Sequence, residues 1–266
     1  MNIVVCVKQT PVSDNIQVDP KTGCLIREGA EAGINPFDEF AIEEAVRLKE
    51  RLPGSVVCAL TMGPPRAEEV LREAIARGCD SAVHLCDSAL GGSDTWATSY
   101  SLSMTVKKIS AMSPVGLVLC GKQTNDSDTG HIGPGMAAWL DWPGTAFVRK
   151  VREITATSIT VERLMEDGMD IIEMPLPAVI SVVKEINEPR IASLRGRLAA
   201  KKTVIPRWTA AEIGCDPMKI GGSGSPTSVV RCFTPEKRSD GMRIEGASAA
   251  EKVSRLLDIL KERKLI

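Results

Sequence analysis

The chain has 266 residues, 43% hydrophobic and 25% charged, with a formal net charge of −1. That length holds one large domain, or a core domain with an appendage. The near-neutral balance gives no electrostatic attraction for nucleic acid or an acidic membrane surface, and 3% aromatic residues leave few platforms for stacking bases.

Residues 3–7 are an apolar run that predicts a first strand, starting so near Met1 that no signal or transit segment is expected before it. No apolar stretch reaches the roughly 20 residues of a membrane-spanning helix, so no membrane insertion and a cytoplasmic protein are expected. Turn signals follow at Asp19-Pro20 and Thr22-Gly23. Residues 37–52 then carry Phe40, Ala41, Ala45 and Leu48 at helical spacing, with Asn35 a candidate N-cap and Pro36 in the first turn. Residues 55–61 predict the second strand, 66–77 a helix closed by Gly78, 82–85 a short strand, and 94–109 a helix capped by Ser93. Residues 115–120 predict another buried strand, which runs into Gly121 and a polar loop. Asp128 and Thr129, candidate caps, lead from that loop into a helix carrying Ile132, Met136, Ala137 and Leu140. The alternation predicts an α/β fold with a mainly parallel sheet and helices on both faces.

The pattern changes after Trp142-Pro143-Gly144. Strand-like segments 147–154, 158–165 and 169–173 follow one another directly and predict an antiparallel extension at one sheet edge. Residues 178–183 predict one more buried strand. Beyond them Arg190, Arg195, Arg197, Lys201, Lys202 and Arg207 surround Leu194 and Leu198, either as a solvated face or as a docking surface. Residues 221–226, GGSGSP, are linker-like. A last amphipathic helix carries Val253, Leu256, Leu257 and Leu260, with Ser248 and Glu251 as a capping box. An arm with so little core of its own is expected to pack on the parent domain or on a partner subunit.

Loops 8–11, 62–65 and 121–129 should meet at the C-terminal ends of parallel strands, with 35–38 beside them, where open α/β sheets bind ligands. A strand feeding a helix through a glycine-edged loop presents free N–H groups and the positive helix end, which suit a phosphate. The loop is neither a Walker A sequence nor GxGxxG. Asp126 and Asp128 repel a phosphate, so they are assigned to capping, ribose hydroxyls or loop orientation. His131 is either an acid–base group or flavin neighbour, or a solvated residue of the first helical turn. Gly91-Gly92-Ser93-Asp94 opens a later helix and reads as a capping sequence. The eight cysteines form no CxxC pair; Cys6, Cys58 and Cys120 lie in apolar strand-like runs and read as buried thiols, and reduced, unpaired cysteines with no metal site are expected. With a nucleotide pocket, no catalytic set and a long arm, the chain reads as a carrier or subunit rather than a self-sufficient enzyme.

The segments VCVKQTP, NPFDEFAIEEAVRLKE, LTMGPP, LCGKQTNDSDTGHIGP, LDWPGT, LPAVISV, NEPRIASLRGRLAAKK and WTAAEIG occur in order over essentially the whole chain. Together they resemble the β subunits of electron-transfer flavoproteins. The resemblance implies a Rossmann-like adenine-nucleotide-binding domain over residues 1–186, a partner-recognition segment over 187–207, and an arm over 208–266 that packs on an α subunit. The nucleotide contacts it implies are Cys6, Asn35, Pro36, Phe37, Asp38, Met62, Gly121, Gln123, Asn125, Asp126, Asp128, Thr129, Gly130, His131 and Ile132. Leu194 becomes the apolar anchor for an acyl-CoA or other dehydrogenase, with Arg190 and Arg197 beside it. The family divides over the bound nucleotide, AMP in one group and FAD in the other, where FAD accepts a hydride from NADH and splits the electron pair. Asp128-Thr129-Gly130 followed by Ile132-Gly133-Pro134 looks more like the FAD-binding, bifurcating pattern. His131-Ile132 stands where the family commonly has Gln-Val, and Asp126-Ser127 where it usually has Asp-Gly.

Overall fold

Successive residues of the first strand, β1 (Asn2–Cys6), enter opposite apolar clusters: Ile3 and Val5 join one, Val4 and Cys6 the other. That alternation is what a strand buried on both faces requires. The computed structural model describes residues 1–12, 32–230 and 241–266, with the short strands β3 (Gln17–Val18) and β4 (Leu25–Ile26). The turn signals at 19–20 and 22–23 lie outside the described residues. Strands β2 (Gln9–Pro11) and β5 (Ala32–Ile34) pair antiparallel beside the end of β1.

Helix α1 (Pro36–Arg51) leads to β6 (Val56–Met62), α2 (Glu68–Ala76) to β7 (Ser81–Leu85), and α3 (Thr95–Met112) to β8 (Val115–Gly121). Then come α4 (Ile132–Leu140), β9 (Gly144–Ile154), β10 (Ser158–Leu164), β11 (Met169–Pro175), β12 (Ala178–Val182), α5 (Leu194–Lys202), β13 (Arg207–Trp208) and α6 (Ala249–Glu262). The main sheet has nine strands in the order β11-β10-β9-β12-β8-β1-β6-β7-β13. All neighbouring pairs from β9 through β12 to β13 are parallel, and β9-β10-β11 is the antiparallel extension expected from sequence. One apolar cluster lies under α1 and α2, the other under α3 and α4, so both faces are covered. From β1 the chain builds outward through β6 and β7, then returns to place β8 on the other side of β1. The order therefore reverses between β1 and β8, a topological switch point.

Several caps differ from the sequence expectation. Asn35 occupies the N-cap position of α1 but makes no capping bond. Asp94, not Ser93, caps α3 by accepting from the N–H groups of Trp96 and Ala97 at 2.9 and 3.0 Å. Neither Asp128 nor Thr129 caps α4, because the loop turns before the helix begins. Asp128 has a φ of 54°, its N–H donates to the Thr124 carbonyl at 2.8 Å, and His131 holds the N-cap position without a capping bond. In α6, Ser248 accepts from Glu251 N–H as expected, while the Glu251 carboxylate reaches Ala247 N–H, one residue before the reciprocal box partner.

Contacts divide the chain into two compact units, Met1–Gln17 with Leu25–Val230, and Val18–Cys24 with Arg231–Ile266. The first includes residues on both sides of positions 186 and 207. Strand β13 extends the sheet edge beside β7, and Ala210, Ile213 and Ile220 pack with Leu85, Leu90 and Tyr100 in a third cluster. Residues 221–226 are likewise not a free linker, being hydrogen-bonded to 91–94. Among the described residues no helix is long and apolar enough to cross a membrane.

Candidate functional site

The crevice at the switch point is bordered by the chain after β1, the start of α1 and the loop from β8 to α4. Three side chains tie these segments together. Asn35 is fully buried; its Nδ2 donates to the Gln123 carbonyl at 2.8 Å and its Oδ1 accepts from Asn125 N–H at 3.2 Å. An amide serves here because it offers a donor and an acceptor to one loop at once.

Asp38, in the first turn of α1, accepts from Lys8 N–H at 2.8 Å and also from Gly121 N–H and the Asn35 amide. It therefore holds the ends of β1 and β8 together. Burial pushes its pKa up to about 7, against the lowering effect of those hydrogen bonds and of the Lys8 charge. Gly121 is required for this contact: a Cβ there would lie 2.4 Å from Asp38 Oδ1 and 2.7 Å from the Phe37 carbonyl carbon.

The third tie is Lys8, whose Nζ sits 2.7 and 3.0 Å from the two carboxylate oxygens of Asp126. Asp126 is thereby turned onto the chain that follows β1. Asp128 takes a comparable local role, accepting from Gln123 Nε2 within the same loop. Thr124 and Ser127 hydroxyls pair at 2.7 Å, closing the loop on itself. Gly130 has a φ of 68°, which swings the chain into α4.

Beyond these ties, Thr129 and His131 are exposed, Gly130 and Ile132 half-buried, and the first turn of α4 lacks a side-chain cap. An N-terminal turn left in this state keeps its N–H groups and positive dipole end available to an anion. Helix α4 is seated closely: Cβ atoms on Gly133 and Gly135 would meet Ser181 Cβ at 3.2 Å and Ser99 Oγ at 2.7 Å. Cys6 is buried with its sulfur 3.8 Å from Met136 Sδ; hydrogen bonding with Cys120, then burial, raises its pKa well above the ordinary thiol value. It is thus a packed thiol rather than a reactive one. Met62 is half-buried at the end of β6, where Gly63 is fixed by its N–H to Leu85 carbonyl at 3.1 Å and by His84 Nε2 at 3.1 Å from its own carbonyl. Pro36 is exposed and Phe37 half-buried beside the crevice. The fully buried His84 and the cross-loop partner Lys8 were not singled out from sequence; Lys8 and Asp126 are 118 positions apart, and no local pattern links them.

The segment around Leu194 lies elsewhere, on α2. Arg190 donates from its backbone and guanidinium to Glu43 at 3.0 and 2.8 Å, and reaches Glu50 at 2.7 Å. It is committed to anchoring the segment on α1. Burial works to raise the Glu43 pKa, but the bonds from Arg190 and Arg47 outweigh it and hold the carboxylate below its ordinary value. Gly196 brings α5 against the end of α2, where a Cβ would lie 2.1 Å from the Ala76 carbonyl oxygen. So seated, Ile191 and Leu194 stand 89% and 76% exposed, beside exposed Arg197. A groove of about 380 Å³ runs below them, lined in part by Ile75, Gly78 and Ala199.

Residues 22–213 match the family model described as the electron transfer flavoprotein domain. The chain is 41% identical over 266 residues to the caffeyl-CoA reductase-Etf complex subunit CarD of Acetobacterium woodii, covering 100% of both chains. It is 39% identical over 271 residues to the electron transfer flavoprotein subunit beta of Megasphaera elsdenii, again over 100% of both. Protein FixA of Azotobacter vinelandii is 42% identical over 242 residues, covering 90% of this chain and 86% of that one.

Proposed function

The chain belongs to the electron transfer flavoprotein family, as a relative of its β subunits, and from that premise we propose that it pairs with an α subunit and holds FAD in the crevice between β1 and β8. Electrons then pass between a dehydrogenase, or NADH by flavin-based bifurcation, and an acceptor. The observation carrying the nucleotide reading is the cross-braced loop of residues 121–132, which ends on the uncapped first turn of α4.

The residues fit an adenine nucleotide. The first turn of α4 offers N–H groups to a phosphate, and Gly130 keeps that approach free of a side chain. Asp126 is turned onto Lys8 and Asp128 is engaged by Gln123, so the charges that repel a phosphate are occupied by partners within the protein. When bound, FAD supplies the redox chemistry, accepting a hydride and passing electrons singly. This chain's part is to bind and orient. Asn35, Asp38 and Lys8 fix the loop before the ligand arrives, which lowers the ordering cost of binding. The assembly in which the relative CarD is named supports the α-subunit reading, and the exposed Ile191 and Leu194 support dehydrogenase docking.

Extraction of nucleotides from the purified heterodimer tests the cofactor reading. Two FAD per heterodimer are expected. One FAD with one AMP overturns it and leaves a carrier with a structural nucleotide. A colourless, stable chain that takes up no α subunit overturns the carrier reading itself.

A further inference from the structure

Two stretches that look unremarkable in sequence, Gly91-Gly92-Ser93-Asp94 and 221–227, are laced to each other. Gly221 N–H donates to Ser93 Oγ at 3.0 Å, and Gly222 N–H to the Gly91 carbonyl at 3.1 Å. Ser225 Oγ accepts from Asp94 N–H at 2.8 Å and donates to the Gly221 carbonyl at 2.7 Å. Asp94 divides its carboxylate. Oδ1 caps α3, while Oδ2 accepts from both the N–H and the hydroxyl of Thr227, at 3.0 and 2.8 Å.

The glycines are there for close approach. A Cβ on Gly221 would lie 2.4 Å from the Ala89 carbonyl oxygen, and its φ is +63°; one on Gly224 would lie 2.2 Å from the Ile220 nitrogen. Just past Thr227, Val229 and Val230 are exposed. Farther on, α6 carries Val253, Leu256 and Leu257 exposed along one side. A helix of 14 residues is marginal without a surface to pack on.

We propose that the clasp of 91–94 with 221–227 is the fixed anchorage from which the C-terminal arm departs to engage the α subunit, and that Asp94 is the positioning residue at its last turn. The inference rests on the heterodimer reading given above. Its physical content is alignment. Releasing 221–227 lengthens the free arm by a few residues, and by the scaling of effective concentration with tether length that change alone weakens association less than about twofold. A clasp that also fixes direction spares the complex the ordering of those residues, and its loss costs more.

Asp94→Ser keeps a good N-cap acceptor for α3 and removes the grip on Thr227; Thr227→Val removes the hydroxyl donor alone. Dissociation of each variant from the α subunit is measured against the wild-type heterodimer, with hydrogen exchange at the Thr227 amide and the nucleotide content of the complex. The expected result is dissociation roughly fivefold faster or more for Asp94→Ser, a smaller change for Thr227→Val, faster exchange at Thr227, and unchanged nucleotide content. A wild-type heterodimer whose dissociation shifts less than twofold in Asp94→Ser, with Thr227 exchanging faster, overturns the inference and leaves the heterodimer reading intact. Thr227 exchange unaltered by the substitution also overturns it, by showing that Asp94 is not the grip. If the wild-type chain forms no heterodimer, both readings fall together.

Discussion

The segment from Gly121 to α4 and the stretch 221–225 each hold a glycine where a side chain does not fit. Their surroundings differ. Gly121 makes room for a buried carboxylate, Asp38, that binds two strand ends and sits beside a fully buried amide. Gly221 and Gly224 make room for backbone against backbone, and the side chains that join 221–227 to 91–94 are hydroxyls and one partly exposed carboxylate. Crowding the first disturbs a desolvated charge and the centre of the sheet. Crowding the second disturbs a surface clasp. The loop should therefore be the costlier and the more pH-sensitive of the two.

The largest effect is expected for Gly121→Ala. The new methyl meets a carboxylate and backbone atoms at under 3 Å, and neither retreats without unmaking the bonds to Asp38. A loss of about 3 kcal/mol in denaturant unfolding is expected, together with loss of bound nucleotide. A loss below about 1 kcal/mol would show the brace to be soft.

Asp38 supplies the pH test. Its folded pKa of about 7 lies above the ordinary carboxylate value, so between those values the folded chain binds a proton that the unfolded chain does not. Its contribution is therefore most favourable at low pH and is lost as pH rises through about 7. From pH 5 to 8 this should lower wild-type stability by roughly 2 kcal/mol relative to Asp38→Asn, which cannot titrate. A pH-independent difference between the two proteins would contradict the assignment.

Gly221→Ala should cost about 1–2 kcal/mol, from a left-handed residue gaining a Cβ and from the clash with Ala89. Nucleotide content should be unchanged. If this substitution strips nucleotide as Gly121→Ala is expected to, the two regions are coupled and the contrast fails. The smallest effect is expected for Lys8→Ala, because the lysine side chain is 42% exposed and salt screens the pair. About 1 kcal/mol or less is expected at low ionic strength, shrinking as salt is added. A salt-independent loss would indicate that the Lys8 stem, not its charge, holds the loop.

Much of the fold was legible. Apolar runs such as 178–183 and the helical spacing of Phe40, Ala41, Ala45 and Leu48 reveal elements because burial must be satisfied locally, turn by turn and strand by strand. The antiparallel change after Gly144 was legible because strands followed strands without helices. Cap assignments fared worse. Ser93 and Asp94 are both good cap residues, and Ser93 is engaged by Gly221, 128 positions away. At Asn35 the cap position was right, but the amide is spent on Gln123 and Asn125. GGSGSP reads as a flexible linker from composition alone, since glycine for freedom and glycine for close approach are spelled the same way.

Sequence by itself determined the central and antiparallel strands of the sheet, helices α1–α4 and α6, the apolar faces that bury them and the family to which the chain belongs. These follow from periodicity and from long ordered motifs, which are properties of contiguous residues. Only the tertiary structure decided what the loop residues do: that Asp126 answers Lys8, that Asp38 spans the ends of β1 and β8, that Arg190 is spent on Glu43 and Glu50, and that Asp94 holds Thr227. Each is a polar contact between segments far apart in the chain. Its energy depends on distance and burial, which exist only once the sheet has brought the segments together.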